Sequence, residues 1–269
     1  MLNISNENSK VMKSTSSNQL VTEYPKYHFL NESLTGYLKS KEPRITNELI
    51  TLINNNEQKN DHFSGSFSNE VLRELEKILP LSVENSIETG CGKSTILFSN
   101  ISNNHYVFTF DDRKHDNSSV EYFQKCNLTK NSRIKTFFGP TQVTLREYSE
   151  HKKYDIVLLD GPHGYPFVEF EYLMLNPHIK EGGFLIIDDV IIPTIGRMAD
   201  IIAEDLMFDL IAVIEATAIF CRTNSITFSP IEDNWSKQIY NKRRIPWFKK
   251  EYINDGIVFD KISTIFKNR

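Results

Sequence analysis

The fold is decided by one stretch, Val83-Glu-Asn-Ser-Ile-Glu-Thr-Gly-Cys-Gly-Lys-Ser-Thr-Ile-Leu-Phe-Ser-Asn100. A strand-like run, Val83–Ile87, leads into two closely spaced glycines and then a helical segment, Thr95–Asn100. Gly90 and Gly92 permit a tight turn and let a ligand approach the backbone. The helix beyond them offers free N–H groups at its start. Two common ligand classes are disfavoured by single residues. Gly92-Lys93-Ser94 imitates the end of a phosphate-binding P-loop, but that motif needs glycine where Ile87 stands. A dinucleotide fingerprint needs glycine where Thr95 stands. What remains is an acidic-x-Gly-x-Gly turn, Glu88-Thr89-Gly90-Cys91-Gly92, and an acid there suits a cationic or amine-bearing ligand.

Downstream, strand-like runs recur at Tyr106–Phe110, Ile134–Phe138, Asp155–Leu159 and Phe184–Ile187, mostly separated by helix-length segments. This alternation predicts a Rossmann-like, doubly wound parallel α/β sheet. Phe208–Ile214 and Thr217–Arg222 lie too close together for a crossover helix, so they should form a terminal antiparallel hairpin, giving seven strands. The second strand ends in Asp111 and Asp112. An acid about 20 residues after the glycine turn is placed to hold ribose hydroxyls. Asp111 follows the strand more directly, and Asp112 can cap the next turn. The third strand runs into Phe137-Phe-Gly139-Pro-Thr141-Gln142, a turn that would flank an adenine.

The fourth and fifth strands carry the acids. Tyr154–Leu159 leads to Asp160-Gly-Pro-His163, and Gly182–Ile187 leads to Asp188-Asp189. In a doubly wound sheet these tips face the same crevice as the glycine turn. Carboxylates converging there repel one another unless a cation sits between them. Oxygen ligands select a hard divalent ion such as Mg²⁺ rather than zinc. The blander reading keeps Asp160 as a ligand-facing strand end and gives Asp188 or Asp189 a helix-capping role.

Composition agrees with a folded enzyme-sized chain. There are 269 residues, 39% hydrophobic and 25% charged, with a net charge of -4. The charge argues against nucleic acid as a partner. No apolar run approaches the roughly 20 residues that span a bilayer, and a cytoplasmic location is expected. The three cysteines are too widely spaced for a disulfide frame or zinc knuckle. Residues 1–20 read as a disordered tail and 21–80 as an N-terminal helical segment. Thr46 can cap a helix that Asn54–Asn56 would end, and Ser68 caps a clearer one stopped by Pro80. Residues 81–222 form the core and 223–269 a polar, aromatic-bearing appendage. A basic and aromatic run, Lys242–Lys250, reads as a solvated face. The flanking segments would wall an acceptor pocket or form a homodimer interface.

From about Val83 to Arg222 the chain resembles the class I S-adenosylmethionine-dependent methyltransferases. The motif Glu88–Gly92 carries the likeness, with Ser94 where many members have a third glycine. The resemblance implies a cofactor site drawn from Glu88, Thr89, Gly90, Cys91, Gly92, Ser94, Asp111, Asp112, Gly139, Thr141 and Asp160. The pattern Asp-x-x-His followed by Gly-Gly-x-x-x-x-Asp-Asp is similar to metal-dependent O-methyltransferases acting on macrolide sugars. It is less close to catechol-type enzymes, which have a lysine after the first metal aspartate. By that resemblance Asp160, Asp188 and Asp189 hold Mg²⁺, while His163, aided by Asp160, is the catalytic base. The acceptor would be a hydroxyl of a small molecule or glycan. Two other readings stand beside this one: a metal-independent N- or O-methyltransferase, and a nucleotide-binding module or NTP-using enzyme.

Overall fold

The computed structural model describes residues 47–57, 67–150, 152–228 and 231–244. The expected tail at 1–20, the cap at Thr46, and the residues of the basic run beyond Arg244, with Trp247 and Phe248, lie outside them. Among the described residues two helices come first, α1 (Asn47–Glu57) and α2 (Asn69–Ile78). The sheet then unfolds as β1 (Val83–Thr89), α3 (Lys93–Ile101), β2 (Ser102–Thr109), α4 (Ser119–Lys125), β3 (Ile134–Phe138) and α5 (Thr141–Glu147). It continues with β4 (Tyr154–Leu159), α6 (Phe167–Leu175), β5 (Ile179–Ile187), α7 (Pro193–Glu204), β6 (Phe208–Ile214) and β7 (Thr217–Arg222), followed by α8 (Ile239–Arg244).

These form a seven-stranded sheet in the order β3-β2-β1-β4-β5-β7-β6. All pairs from β3 to β5 are parallel, and β7 runs antiparallel between β5 and β6. The chain winds outward from β1 to β3, then returns to lay β4 against β1 on the other side. That reversal opens a crevice at the C-terminal tips of the central strands. The expected hairpin is present: Ile214 pairs with Thr217 across a two-residue loop, with Glu215 at φ 49°. Strands β4 and β5 are apolar on both faces near their tips, as burial between helix layers requires, whereas β1 ends in the buried polar pair Glu88-Thr89. Ile156, Val157 and Leu158 of β4 are wholly buried.

The helices form two packed groups, α1 to α4 and α5 to α8. Ser68 caps α2 as expected, its Oγ accepting from the Val71 amide at 3.1 Å. The asparagine run does not end α1, which continues to Glu57. Ile53 is fully buried and Asn54 nearly so. Packing of that turn on the core thus overrides the weak helix preference of asparagine. Two strands also start earlier than hydropathy indicates, β2 at Ser102 and β5 at Ile179. Between each first residue, Ser102 or Ile179, and the apolar run lie polar residues or glycine, among them the exposed Asn103, Glu181 and Gly182, which hide these strand starts from a hydropathy reading. Among the described residues no helix is long and apolar enough to cross a membrane.

Candidate active site

A cavity of about 580 Å³ opens at the tips of β1 to β5, within the range of small-molecule sites. Its walls are mapped most simply strand by strand.

At β1 the turn depends on glycine. Gly90 has φ +85°, and a Cβ placed there would lie 2.2 Å from the carbonyl oxygen of Asp160. Its amide donates to the Phe108 carbonyl at 2.9 Å, so the turn is pinned on β2 while touching β4. Gly90 and Cys91 line the cavity. Burial pushes the Cys91 thiol far above its ordinary range, which leaves it neutral and unreactive.

The residues flanking the turn point elsewhere. Side chains alternate along a strand, so Glu88 faces α3 and Thr89 faces α6. Glu88 is fully buried and accepts from Thr95 Oγ1 and, at 3.1 Å, from His105 Nε2. Its Oε2 has no hydrogen-bond partner, a buried acceptor beside the turn. Gly92 begins α3, its amide donating to Thr95 Oγ1 at 2.9 Å, and Ser94 is buried within that helix. Glu88, Thr89, Gly92 and Ser94 therefore shape the turn without lining the cavity. Lys93, the lysine of the P-loop imitation, is also buried; its Nζ donates to the Phe67 carbonyl at 3.1 Å.

Beyond β2 the two acids separate. Asp111 is exposed and pairs with the Arg113 guanidinium at 2.7 Å, which holds its carboxyl down at about 2. It does not line the cavity, whereas Asp112 does. Asp112 accepts from Ser118 Oγ at 2.5 Å, from the Ser119 amide at 2.6 Å and from the Val120 amide at 3.2 Å. Of the two, Asp112 and not the preferred Asp111 faces the cavity: amides at the start of α4 draw Asp112 inward, while Arg113 draws Asp111 out. Both readings of Asp112 meet, since it caps α4 and faces the cavity. Beyond β3, Gly139, Thr141 and Gln142 complete this side.

The opposite wall is acidic. Asp160 and Gly161 follow β4, and Asp188 and Asp189 follow β5. Asp189 sits at φ 54°, a left-handed conformation unusual for a non-glycine residue and common where a site demands it. This twist sends the adjacent carboxylates different ways. Asp188 Oδ1 accepts from Thr217 Oγ1 at 2.5 Å. Asp189 Oδ2 lies 3.2 Å from His163 Nε2, which is 3.5 Å from Asp160 Oδ1. One ligand atom from each of Asp160, His163 and Asp189 falls within 4.8 Å of the others. Asp188 lines the cavity but stands outside that trio. Burial pushes Asp160 up to about 7 and raises Asp188 as well. The Asp160 hydrogen bond raises His163 above its ordinary value. Two carboxylates and an imidazole converging in one cavity fit a divalent ion, and the Gly90 turn, where no side chain fits against the Asp160 carbonyl, lets a cofactor come close to the backbone.

Four lining or supporting residues carried no signal in the sequence. Phe110 and Phe167 form the apolar parts of the mouth, and Ser119 stands beside Asp112. Glu171 of α6 is wholly buried beneath the site. The spacing of Ser118 and Glu121, a helix-start signature, could have marked the Asp112 contact.

Residues 87–190 match the family model described as a methyltransferase domain. Compared with curated proteins by sequence, the chain finds no match. Among solved structures it is similar to a Staphylococcus aureus protein assigned as a caffeoyl-CoA O-methyltransferase, at 13% identity over 66% of this chain and 93% of that one, TM-score 0.49. TomG of Streptomyces achromogenes, an O-methyltransferase of tomaymycin synthesis solved with S-adenosylmethionine, aligns at 11% identity over 67% and 92%, TM-score 0.47. MycE of the mycinamycin pathway, solved with Mg and S-adenosylhomocysteine, aligns at 17% identity over 69% and 58%, TM-score 0.44. The matched segment runs from β1 past the end of β5, so the likeness to a methyltransferase domain covers the strands whose tips line the cavity.

Proposed function

We propose that the protein is an O-methyltransferase that uses S-adenosylmethionine and a divalent cation, Mg²⁺ or similar, to methylate a hydroxyl of a small molecule or glycan. The observation that carries this reading is the convergence of Asp160, His163 and Asp189 in the cavity that Gly90 also lines. Methyl transfer from a sulfonium is an in-line displacement with a good leaving group. The protein's task is therefore to present a deprotonated acceptor oxygen at the right distance and angle. Asp160 and Asp189 would hold the cation, with Asp188 beside them on its Thr217 hydrogen bond. When bound, the cation lowers the pKa of the acceptor hydroxyl and fixes the oxygen. His163 takes the departing proton, and its contacts with Asp160 and Asp189 orient the ring for that purpose. Phe110 and Phe167 keep water from the mouth. Vicinal hydroxyls, as in a sugar or catechol, suit such a centre because both oxygens can reach one ion.

A nucleotide-triphosphate reading has less support. Lys93 Nζ is engaged by the Phe67 carbonyl, away from the cavity, and acids dominate the wall where phosphates would lie. One observation does favour a metal-independent methyltransferase: His163 already bridges both carboxylates, so a proton can neutralise the cluster. Calorimetry separates these readings. Binding of S-adenosylmethionine but not ATP, with a separate Mg²⁺ heat, is expected. ATP binding without S-adenosylmethionine binding overturns the proposal. Turnover unaffected by chelator moves it to the metal-independent form.

A further inference from the structure

A buried acid that the reaction does not use lies directly under the site. Glu171, on α6, is 0% exposed, and each of its oxygens accepts one hydroxyl hydrogen bond at 2.7 Å. Oε2 takes Thr89 Oγ1, at the end of β1, and Oε1 takes Thr141 Oγ1, in the first turn of α5. Thr89 Oγ1 in turn accepts from the Asp160 amide at 3.1 Å. The carboxylate also fills the space beneath Gly161, where a Cβ would lie 2.2 Å from Oε1. One side chain therefore ties together the glycine-turn strand, the start of the helix after β3 and the tip that carries Asp160.

We infer that Glu171 is a positioning residue of the cofactor site, holding Thr89, Thr141 and the Asp160 backbone in the arrangement that receives S-adenosylmethionine. The inference rests on the cofactor reading above. Stability alone gives little reason for an acid here. Burying a carboxyl is costly, and two neutral hydroxyl donors offset only part of that cost. The neighbouring positions on α6, Phe170, Tyr172 and Leu175, pack against the core, so an apolar residue of similar length would be accommodated. An expensive polar group joining three parts of a cavity wall is what preorganisation of a binding site requires. Gly161 is the complementary requirement, because any side chain there would displace the carboxylate.

The test compares wild type with Glu171→Met, similar in length without an acceptor, and Glu171→Gln, which keeps one acceptor oxygen. Three quantities are read: S-adenosylhomocysteine affinity by calorimetry, amide hydrogen exchange in the unliganded protein, and the thermal midpoint. For Glu171→Met the expectation is a slightly lower midpoint, because the buried Thr89 and Thr141 hydroxyls lose their acceptor, with about a tenfold or greater loss of affinity and exchange accelerated at Asp160 more than at remote amides. Glu171→Gln should lie between it and wild type. Affinity within twofold of wild type together with unaltered exchange at Asp160 overturns the inference. So does a lower midpoint with exchange equally accelerated at remote amides such as Ile219, which would make Glu171 a general structural residue. Should Glu171→Met fail to fold, Glu171→Gln decides by the same criteria. Wild-type protein that binds no S-adenosylhomocysteine overturns the cofactor reading instead, and exchange at Asp160 then judges the hold exerted by Glu171 by itself.

Discussion

The two walls of the cavity are built on opposite principles. On the β1–β3 side almost every polar group is already engaged: Glu88 by Thr95 and His105, Asp112 by α4, Asp111 by Arg113. What this wall offers a ligand is backbone, a glycine turn and shape. On the β4–β5 side the groups are engaged mainly with one another, through His163 between Asp160 and Asp189. That wall offers charge. Under the proposed function the difference divides one crevice between two recognition tasks, a rigid one for the cofactor and an electrostatic one for cation and acceptor. Variants on the two walls should fail in different ways.

The largest effect is expected at Gly90. Gly90→Val places side-chain carbon against the Asp160 carbonyl and strains a positive φ. S-adenosylhomocysteine affinity should fall on the order of 100-fold; calorimetry giving near-wild-type affinity would show that the turn does not form the cofactor wall. Next comes Asp189→Asn, which should weaken Mg²⁺ binding by about tenfold or more while cofactor affinity stays within about twofold. Equal losses of both would erase the distinction between the walls.

Acidity gives a graded effect. Asp160 is pushed up to about 7 and His163 is raised, so protons compete with a cation for this cluster. Mg²⁺ affinity should rise steeply from pH 6 to about 7 and flatten above it; a flat profile across that interval would remove Asp160 as a ligand. The sign for stability follows. A carboxyl and an imidazole whose folded pKa values are both raised favour folding most at low pH, below their unfolded values. Their contribution is lost as pH rises through the folded values. Unliganded protein should therefore melt lower at pH 8 than at pH 6, and Mg²⁺ should narrow the gap. The smallest effects separate the adjacent acids. Asp112→Ala should cost about 1 kcal/mol, because the Ser119 and Val120 amides at the start of α4 lose their acceptor, and should weaken the cofactor. Asp111→Asn should change cofactor affinity by about twofold or less, and a larger loss there would return the ribose role to Asp111.

Much of this arrangement is legible in the sequence because it follows from periodicity. The five parallel strands and the closing hairpin announce themselves as apolar runs, and strand tips in a doubly wound sheet must share a crevice. The acids Asp160, Asp188 and Asp189 could thus be brought together without coordinates. What periodicity does not carry is the direction of each side chain at the tips. Asp112 is chosen over Asp111 by amides seven and eight residues downstream. Asp188 and Asp189 are parted by a left-handed residue and by Thr217 from another strand. Glu171 lies in Phe-Val-Glu-Phe-Glu-Tyr-Leu-Met-Leu, where nothing local distinguishes a buried acid from the partly exposed Glu169. Its meaning resides in Thr89, 82 positions away.

The most direct measurement is a pair of calorimetric titrations, S-adenosylhomocysteine and then Mg²⁺, on wild type and on Asp189→Asn. Two separable walls require wild type to bind both ligands and the variant to keep the cofactor while losing most of the cation. Loss of the cofactor together with the cation, or wild type that binds neither, would contradict that division.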